Sequence, residues 1–125
     1  MSDRENITAL VVEDDPASQK YISLLLNKLE YKFIVADTGE QAIDLMKDRH
    51  VDIMLLDIAL GPGMSGLDLG KELKKDNKHS ETPMIAVSAF SREDVDQLKP
   101  AGFVDYLSKP FTIRELESIL SKHLD

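Results

Sequence analysis

Apolar and polar positions follow two rhythms along this chain, and the rhythms take turns. Thr8 to Val12 is a short β-branched and apolar run, followed by Asp15-Pro16, which reads as a helix N-cap with proline at the first helical position. Beyond it Ile22, Leu25, Leu26 and Leu29 recur at i, i+3, i+4 and i+7, the stripe of an amphipathic helix. Lys32 to Ala36 is a second strand candidate. Thr38 and Gln41 then make a capping box for a helix reaching about Lys47, with Ala42, Leu45 and Met46 as its buried stripe. Asp52 to Asp57 is a nearly continuous apolar run bounded by polar residues, the pattern of a central parallel strand covered on both faces. After a Gly/Pro loop, Gly66 to Lys75 reads as a helix with Leu69 and Leu73 in its stripe, and Pro83 to Ser88 as a fourth strand. Ser91 caps a short helix from Arg92 to Leu98, which Pro100 and Gly102 end. Val104 to Ser108 is a fifth strand, and Thr112 with Glu115 opens a last helix carrying Leu116, Ile119, Leu120 and Leu124.

Five strand and helix units with short connections predict parallel strands, right-handed crossovers and helices on both faces of one twisted sheet. The expected architecture is α/β, a flavodoxin-like (βα)5 doubly wound sheet of order 2-1-3-4-5, filling a single domain over residues 1–125. In that order strands 1 and 3 lie side by side at the switch point, where such sheets bind ligands at their carboxyl ends.

Composition limits the partners. At 125 residues, 42% hydrophobic and 30% charged, the chain has the balance of one globular domain. Fifteen Lys and Arg against 23 Asp and Glu give a net charge of −8, which would repel a polyanionic backbone and argues against direct nucleic acid binding. No apolar run approaches the roughly 20 residues of a bilayer span, and the leading MSDRENI has no secretory h-region. The chain has no cysteine, hence no disulfide framework or thiolate metal site, which fits a cytoplasmic location. His50, His79 and His123 fit no metal spacing and read as surface residues.

The candidate chemistry sits at the expected strand ends: Glu13 and Asp14 after strand 1, Asp57 after strand 3, Ser88 after strand 4 and Lys109 after strand 5. Neighbouring parallel strands lie about 4.8 Å apart, so the three carboxylates converge. Two full negative charges at about 4 Å repel by about 4 kcal/mol at an effective dielectric of 20, so the pocket calls for a cation. An all-oxygen donor set suits a hard ion, and Mg2+, which shares its shell readily with water and phosphate, suits an open pocket better than Ca2+. A carboxylate nucleophile, a metal, the fixed charge of Lys109 and the hydroxyl of Ser88 are the parts needed to take a phosphoryl group onto Asp57.

These residues stand in VVEDDP, LLDIALGPGMSG, VSAF and YLSKPF, which together resemble the response-regulator receiver domain of two-component signalling, of the chemotaxis-regulator type, over essentially the whole chain. The resemblance implies that Asp57 is the phosphoacceptor, charged by a histidine kinase or a histidine phosphotransfer protein. It implies Mg2+ held by Asp14, Asp57 and the backbone carbonyl of Ala59, with Glu13 acting through water. Ser88 would be the switch hydroxyl, Tyr106 the switch aromatic and Lys109 the phosphoryl-binding lysine, with a cis Lys109–Pro110 bond. Phosphorylation would then alter the face of helix 4, strand 5 and helix 5 for a downstream protein partner, the chain being a monomer or a phosphorylation-dependent dimer. Two departures stand out: the loop after Asp57 carries one residue more than the family's usual D-x-x-M-P-x-M-x-G, and helix 4 is short.

Other classes fit less well. An aspartyl-phosphate hydrolase of the haloacid-dehalogenase type needs a second Asp two residues after the nucleophile, where this chain has Ala59. A flavodoxin's phosphate loop is rich in Ser, Thr and Gly, whereas Glu13-Asp14-Asp15 would repel phosphate. A pseudo-receiver would lack Asp57 or Lys109. Ala59 and Phe90, two residues after the phosphoacceptor and after the switch hydroxyl, offer no hydrogen bond to an attacking water, so slow autodephosphorylation is expected. The chain reads as either a stand-alone regulator or a receiver cut from a larger protein.

Overall fold

The computed structural model describes residues 3–61, 63–76, 78–89 and 92–124. Five strands, β1 (Thr8–Val12), β2 (Lys32–Ala36), β3 (Ile53–Asp57), β4 (Met84–Ser88) and β5 (Asp105–Ser108), alternate with five helices. The helices are α1 (Pro16–Lys28), α2 (Gly39–Met46), α3 (Gly66–Lys75), α4 (Arg92–Asp96) and α5 (Ile113–Leu124). All pairings are parallel, in the order β2-β1-β3-β4-β5. No helix among the described residues is long and apolar enough to cross a membrane.

The continuous apolar strands are explained by a core on each side of the sheet. Odd positions, Ala9 and Val11, Ile53 and Leu55, Ile85 and Val87, pack with Ile22, Leu26, Leu116 and Leu120 of α1 and α5. Even positions, Leu10 and Val12, Met54 and Leu56, Met84 and Ala86, pack with Ala42, Met46, Leu69 and Leu73 of α2 and α3, and with Leu98 and Phe103. Alternation of side chains across a strand thus places each residue in one core or the other. The caps form as expected: the Asp15 carboxylate accepts from Ser18 N–H at 2.9 Å, and Thr38 Oγ1 from Gln41 N–H at 3.0 Å.

Several expectations need correction. Strands β3, β4 and β5 each begin one residue later than the sequence suggests. Asp52 instead turns its carboxylate onto Thr8 N–H at 2.8 Å, and Pro83 has no N–H to give a ladder. Val104 lies before β5 with 53% of its surface exposed. Helix α4 ends at Asp96, not Leu98. Hydrogen bonds from Gln97, Leu98, Ala101 and Gly102 reach back three residues only, a 3-10 pattern consistent with Pro100 having no N–H. The expected cap Ser91 lies outside the described residues. Leu45 is half-buried, and Ile119 and Leu124 pack only at the edge of the core.

His79 is the clearest reversal. It is 1% exposed, with Nε2 at 3.1 Å from the Met46 carbonyl, because the turn after α3 tucks it under the end of α2. His50 is exposed as expected, while His123 is half-buried and 2.9 Å from Asp105.

Candidate phosphoacceptor and metal site

The register decides what meets at the carboxyl edge. Val12 is level with Leu56 and Asp57 with Val87, so Glu13 and Asp14, just past β1, lie beside the end of β3. Ser88 and Ser108 pair at the ends of β4 and β5, leaving Lys109 to follow. Tight packing at Gly66 turns the chain from β3 into α3: a Cβ there would stand 2.2 Å from the Asp57 carbonyl oxygen, which only glycine avoids.

Asp57 and Glu13 are 5% and 4% exposed, while Asp14 is open to solvent. Carboxylate oxygens of the three lie within 4.8 Å of one another. Lys109 Nζ donates to Glu13 Oε1 and, at 3.1 Å, to Asp57 Oδ2. Asp57 Oδ1 accepts from Ala59 N–H at 2.9 Å, and Glu13 Oε2 from Asp15 N–H at 3.2 Å. Burial and the neighbouring Asp57 side chain push the Glu13 carboxyl up to about 6, against the opposing pull of Lys109 and the Asp15 amide. Burial disfavours the Lys109 ammonium, but its two carboxylate partners outweigh this and raise its pKa. One lysine for two buried anions leaves the pocket short of positive charge. The all-oxygen donor set, crowded enough to drive a glutamate toward protonation, fits a hard divalent cation.

The structure brings Glu13, Asp14, Asp57, Ser88 and Lys109 to one edge, with Ser88 buried and its carbonyl accepting from Lys109 N–H at 2.8 Å. The Lys109–Pro110 bond is cis. Ala59 is exposed just past β3. Tyr106 is not in the pocket: it is level with Ala86 and 41% exposed. Phe90 lies outside the described residues. Asp15 is the cap of α1, its carboxyl held below the usual value by the Ser18 amide and hydroxyl.

Some residues around the pocket have no signal in the sequence. Gly61 N–H donates to Asp14 Oδ2 at 2.7 Å, and Met64 N–H reaches Glu40 Oε2 at 3.4 Å, so the longer loop leans onto the start of α2. Gln19 Nε2 donates both to the Glu13 carbonyl and to Asp37 Oδ1, linking α1 to the loop after β2. Apart from the Gln19 bond to the Glu13 carbonyl, each contact joins segments far apart in the chain. An opening of about 550 Å³ beside the pocket runs between α1 and the segment from Lys109 to Phe111.

A (βα)5 sheet of this order, with an acidic cluster and a lysine at its carboxyl edge, defines a receiver, a phosphorylation switch of two-component signalling. The chain belongs to the response regulator receiver domain family, whose model matches residues 9–121. It is 35% identical over 116 residues to the polar-differentiation response regulator DivK of Brucella ovis, covering 91% of this chain and 94% of that protein. The receiver domain of a sensor histidine kinase from Pseudomonas aeruginosa, solved with magnesium coordinated in its active-site cleft, is 31% identical with a TM-score of 0.88, covering 94% and 97% of the two chains. The response regulator TrrA of Thermotoga maritima, in complex with Mg2+ and BeF, is 30% identical with a TM-score of 0.83, covering 94% and 99%.

Proposed function

We propose that Asp57 accepts a phosphoryl group from a histidine kinase or a histidine phosphotransfer protein. The observation that carries this is the meeting of three carboxylates with one lysine at the end of the central strand, where Asp57 is buried yet hydrogen-bonded in a fixed orientation. A carboxylate oxygen of Asp57 forms the bond to phosphorus as the P–N bond of the phosphohistidine breaks. The imidazole leaves and regains its proton from solvent. The Ala59 amide holds the carboxylate against rotation, and the Lys109 ammonium, already against Asp57, pairs with an oxygen of the new phosphoryl group. Ser88 supplies a hydroxyl to another oxygen.

Asp14, Asp57 and the Ala59 carbonyl would hold Mg2+, with Glu13 acting through water; the ion supplies the positive charge that offsets the phosphoryl oxygens. Ser88 moving inward leaves room for Tyr106 to turn from its exposed position, which would present an altered α4-β5-α5 face to a downstream protein. Residues 1–125 act as a single receiver domain in the cytoplasm, alone or within a larger protein, as a monomer or a phosphorylation-dependent dimer. With alanine at 59 and phenylalanine at 90, autodephosphorylation is slow, which suits a phosphorelay.

Incubation with acetyl phosphate and Mg2+ should add one phosphoryl group by intact-mass measurement, and Asp57→Asn should abolish the addition. Undiminished labelling of the variant would refute the assignment.

A further inference from the structure

The opening of about 550 Å³ beside the site is lined by Glu13, Ser18 and Tyr21 on one side and by Lys109, Pro110 and Phe111 on the other. Where an opening stands between two elements, close packing alone sets their separation less tightly. Tyr21 spans it. Its Oη donates to the Phe111 carbonyl at 2.5 Å, and its ring meets the Phe111 ring at 5.5 Å between centroids, tilted by 59°.

The segment that Tyr21 holds is the one that carries Lys109. At its start Lys109 N–H is bonded to Ser88 on β4, and at its end Thr112 and Glu115 cap α5 reciprocally, at 3.0 and 3.2 Å. Between these ties the chain passes along the opening, and the Tyr21 hydroxyl fixes it to α1. The same helix starts at the acidic loop, where Glu13 receives the Lys109 ammonium. The Tyr21 bond therefore closes a ring of contacts from Glu13 through α1 to Phe111 and back through Lys109.

We propose that Tyr21 is a positioning residue for Lys109, its hydroxyl setting the separation of α1 from the Lys109–Phe111 segment and so the place of the ammonium against Asp57. The inference rests on the reading of Lys109 as the phosphoryl-binding cation. Displacement of a charged group by about 1 Å can cost up to a hundredfold in rate, and Tyr21 acts two residues from Lys109.

Tyr21→Phe keeps the ring and removes only the hydroxyl. In the intact protein with saturating Mg2+, phosphorylation by acetyl phosphate should slow by about tenfold, while Mg2+ affinity and melting temperature stay close to wild type. The side-chain nitrogen resonance of Lys109 should shift as well. A wild-type rate together with an unmoved Lys109 resonance would overturn the proposal. So would a fall in rate matched by an equal fall in Mg2+ affinity, because the hydroxyl would then act on the acidic loop. Absence of phosphorylation in the wild type itself would defeat the reading of Asp57 instead. The Lys109 resonance in Tyr21→Phe then decides the positioning role alone: a shift supports it and no shift refutes it.

Discussion

Two clusters of charge at opposite ends of β5 use the same kinds of side chain to opposite effect. At the carboxyl end, two buried carboxylates, Glu13 and Asp57, share Lys109. At the amino end, one carboxylate, Asp105, receives His123 at 2.9 Å and Lys122 at 3.2 Å, with the Tyr106 amide at 2.8 Å. The first cluster raises the pKa of Glu13. In the second, burial again pushes upward, but His123, the Tyr106 amide and Lys122 prevail and hold Asp105 below its usual value. The sign follows the ratio of anions to cations, and the shortage of cation marks the cluster built to receive a ligand.

Removing the shared cation should break this comparison most severely. Lys109→Met leaves two buried carboxylates without their lysine and should cost about 2 kcal/mol of unfolding free energy at pH 7 without metal. The loss should shrink near pH 5, where Glu13 takes up a proton, and on adding millimolar Mg2+. Urea titrations under the three conditions measure it. An equal loss in all three would mean that the lysine stabilises through packing alone.

The pH response of Glu13 is the next largest. A carboxyl raised to about 6 in the native chain keeps a proton that the unfolded chain releases near its ordinary value, so metal-free stability should fall as pH rises through that window. The expected fall is about 1–2 kcal/mol, and Glu13→Gln should remove it. Melts of both proteins between pH 4 and 7 give the slopes directly, and identical slopes would dismiss the effect.

Asp105 should show the smallest change, with the opposite sign. Its depressed pKa contributes stability that is present above the ordinary aspartate value and is lost as pH falls below it. Asp105→Asn should cost less than about 1 kcal/mol at pH 7, and less still in high salt, since the pair is partly exposed. A loss larger than that of Lys109→Met would invert the comparison.

What was legible in the sequence follows from how local each feature is. The apolar runs of β1, β3 and β4 are continuous because both faces of the sheet are covered, and α3 was readable from Gly66 to Lys75 because it follows a Gly/Pro loop and carries its own apolar stripe. Asp57 and its acidic neighbours stood out because each follows such a run. The burial of His79 was invisible, since its partner Met46 lies on another helix and the sequence says nothing of how the turn folds beneath it. Gln19, Tyr21 and Gly61 were missed for the same reason: each acts across a contact between segments that only the assembled sheet brings together. The end of α4 was misplaced because Pro100 marks where a helix must stop, while the shift to three-residue hydrogen bonds starts earlier.

The chain contains no tryptophan and three tyrosines, and the fold has distributed these among three separate districts. Tyr31 is buried beneath the Arg4 guanidinium at 5.3 Å, Tyr21 stands at the opening beside the acidic pocket, and Tyr106 is exposed on β5. Ultraviolet emission from this protein is therefore a sum of three local signals, one from beneath Arg4, one from α1 where it faces the lysine-bearing segment and one from the outer strand. Replacing Tyr31 and Tyr106 by phenylalanine would leave Tyr21 as the one tyrosine, so that changes beside the acidic pocket could be followed there without attaching a dye.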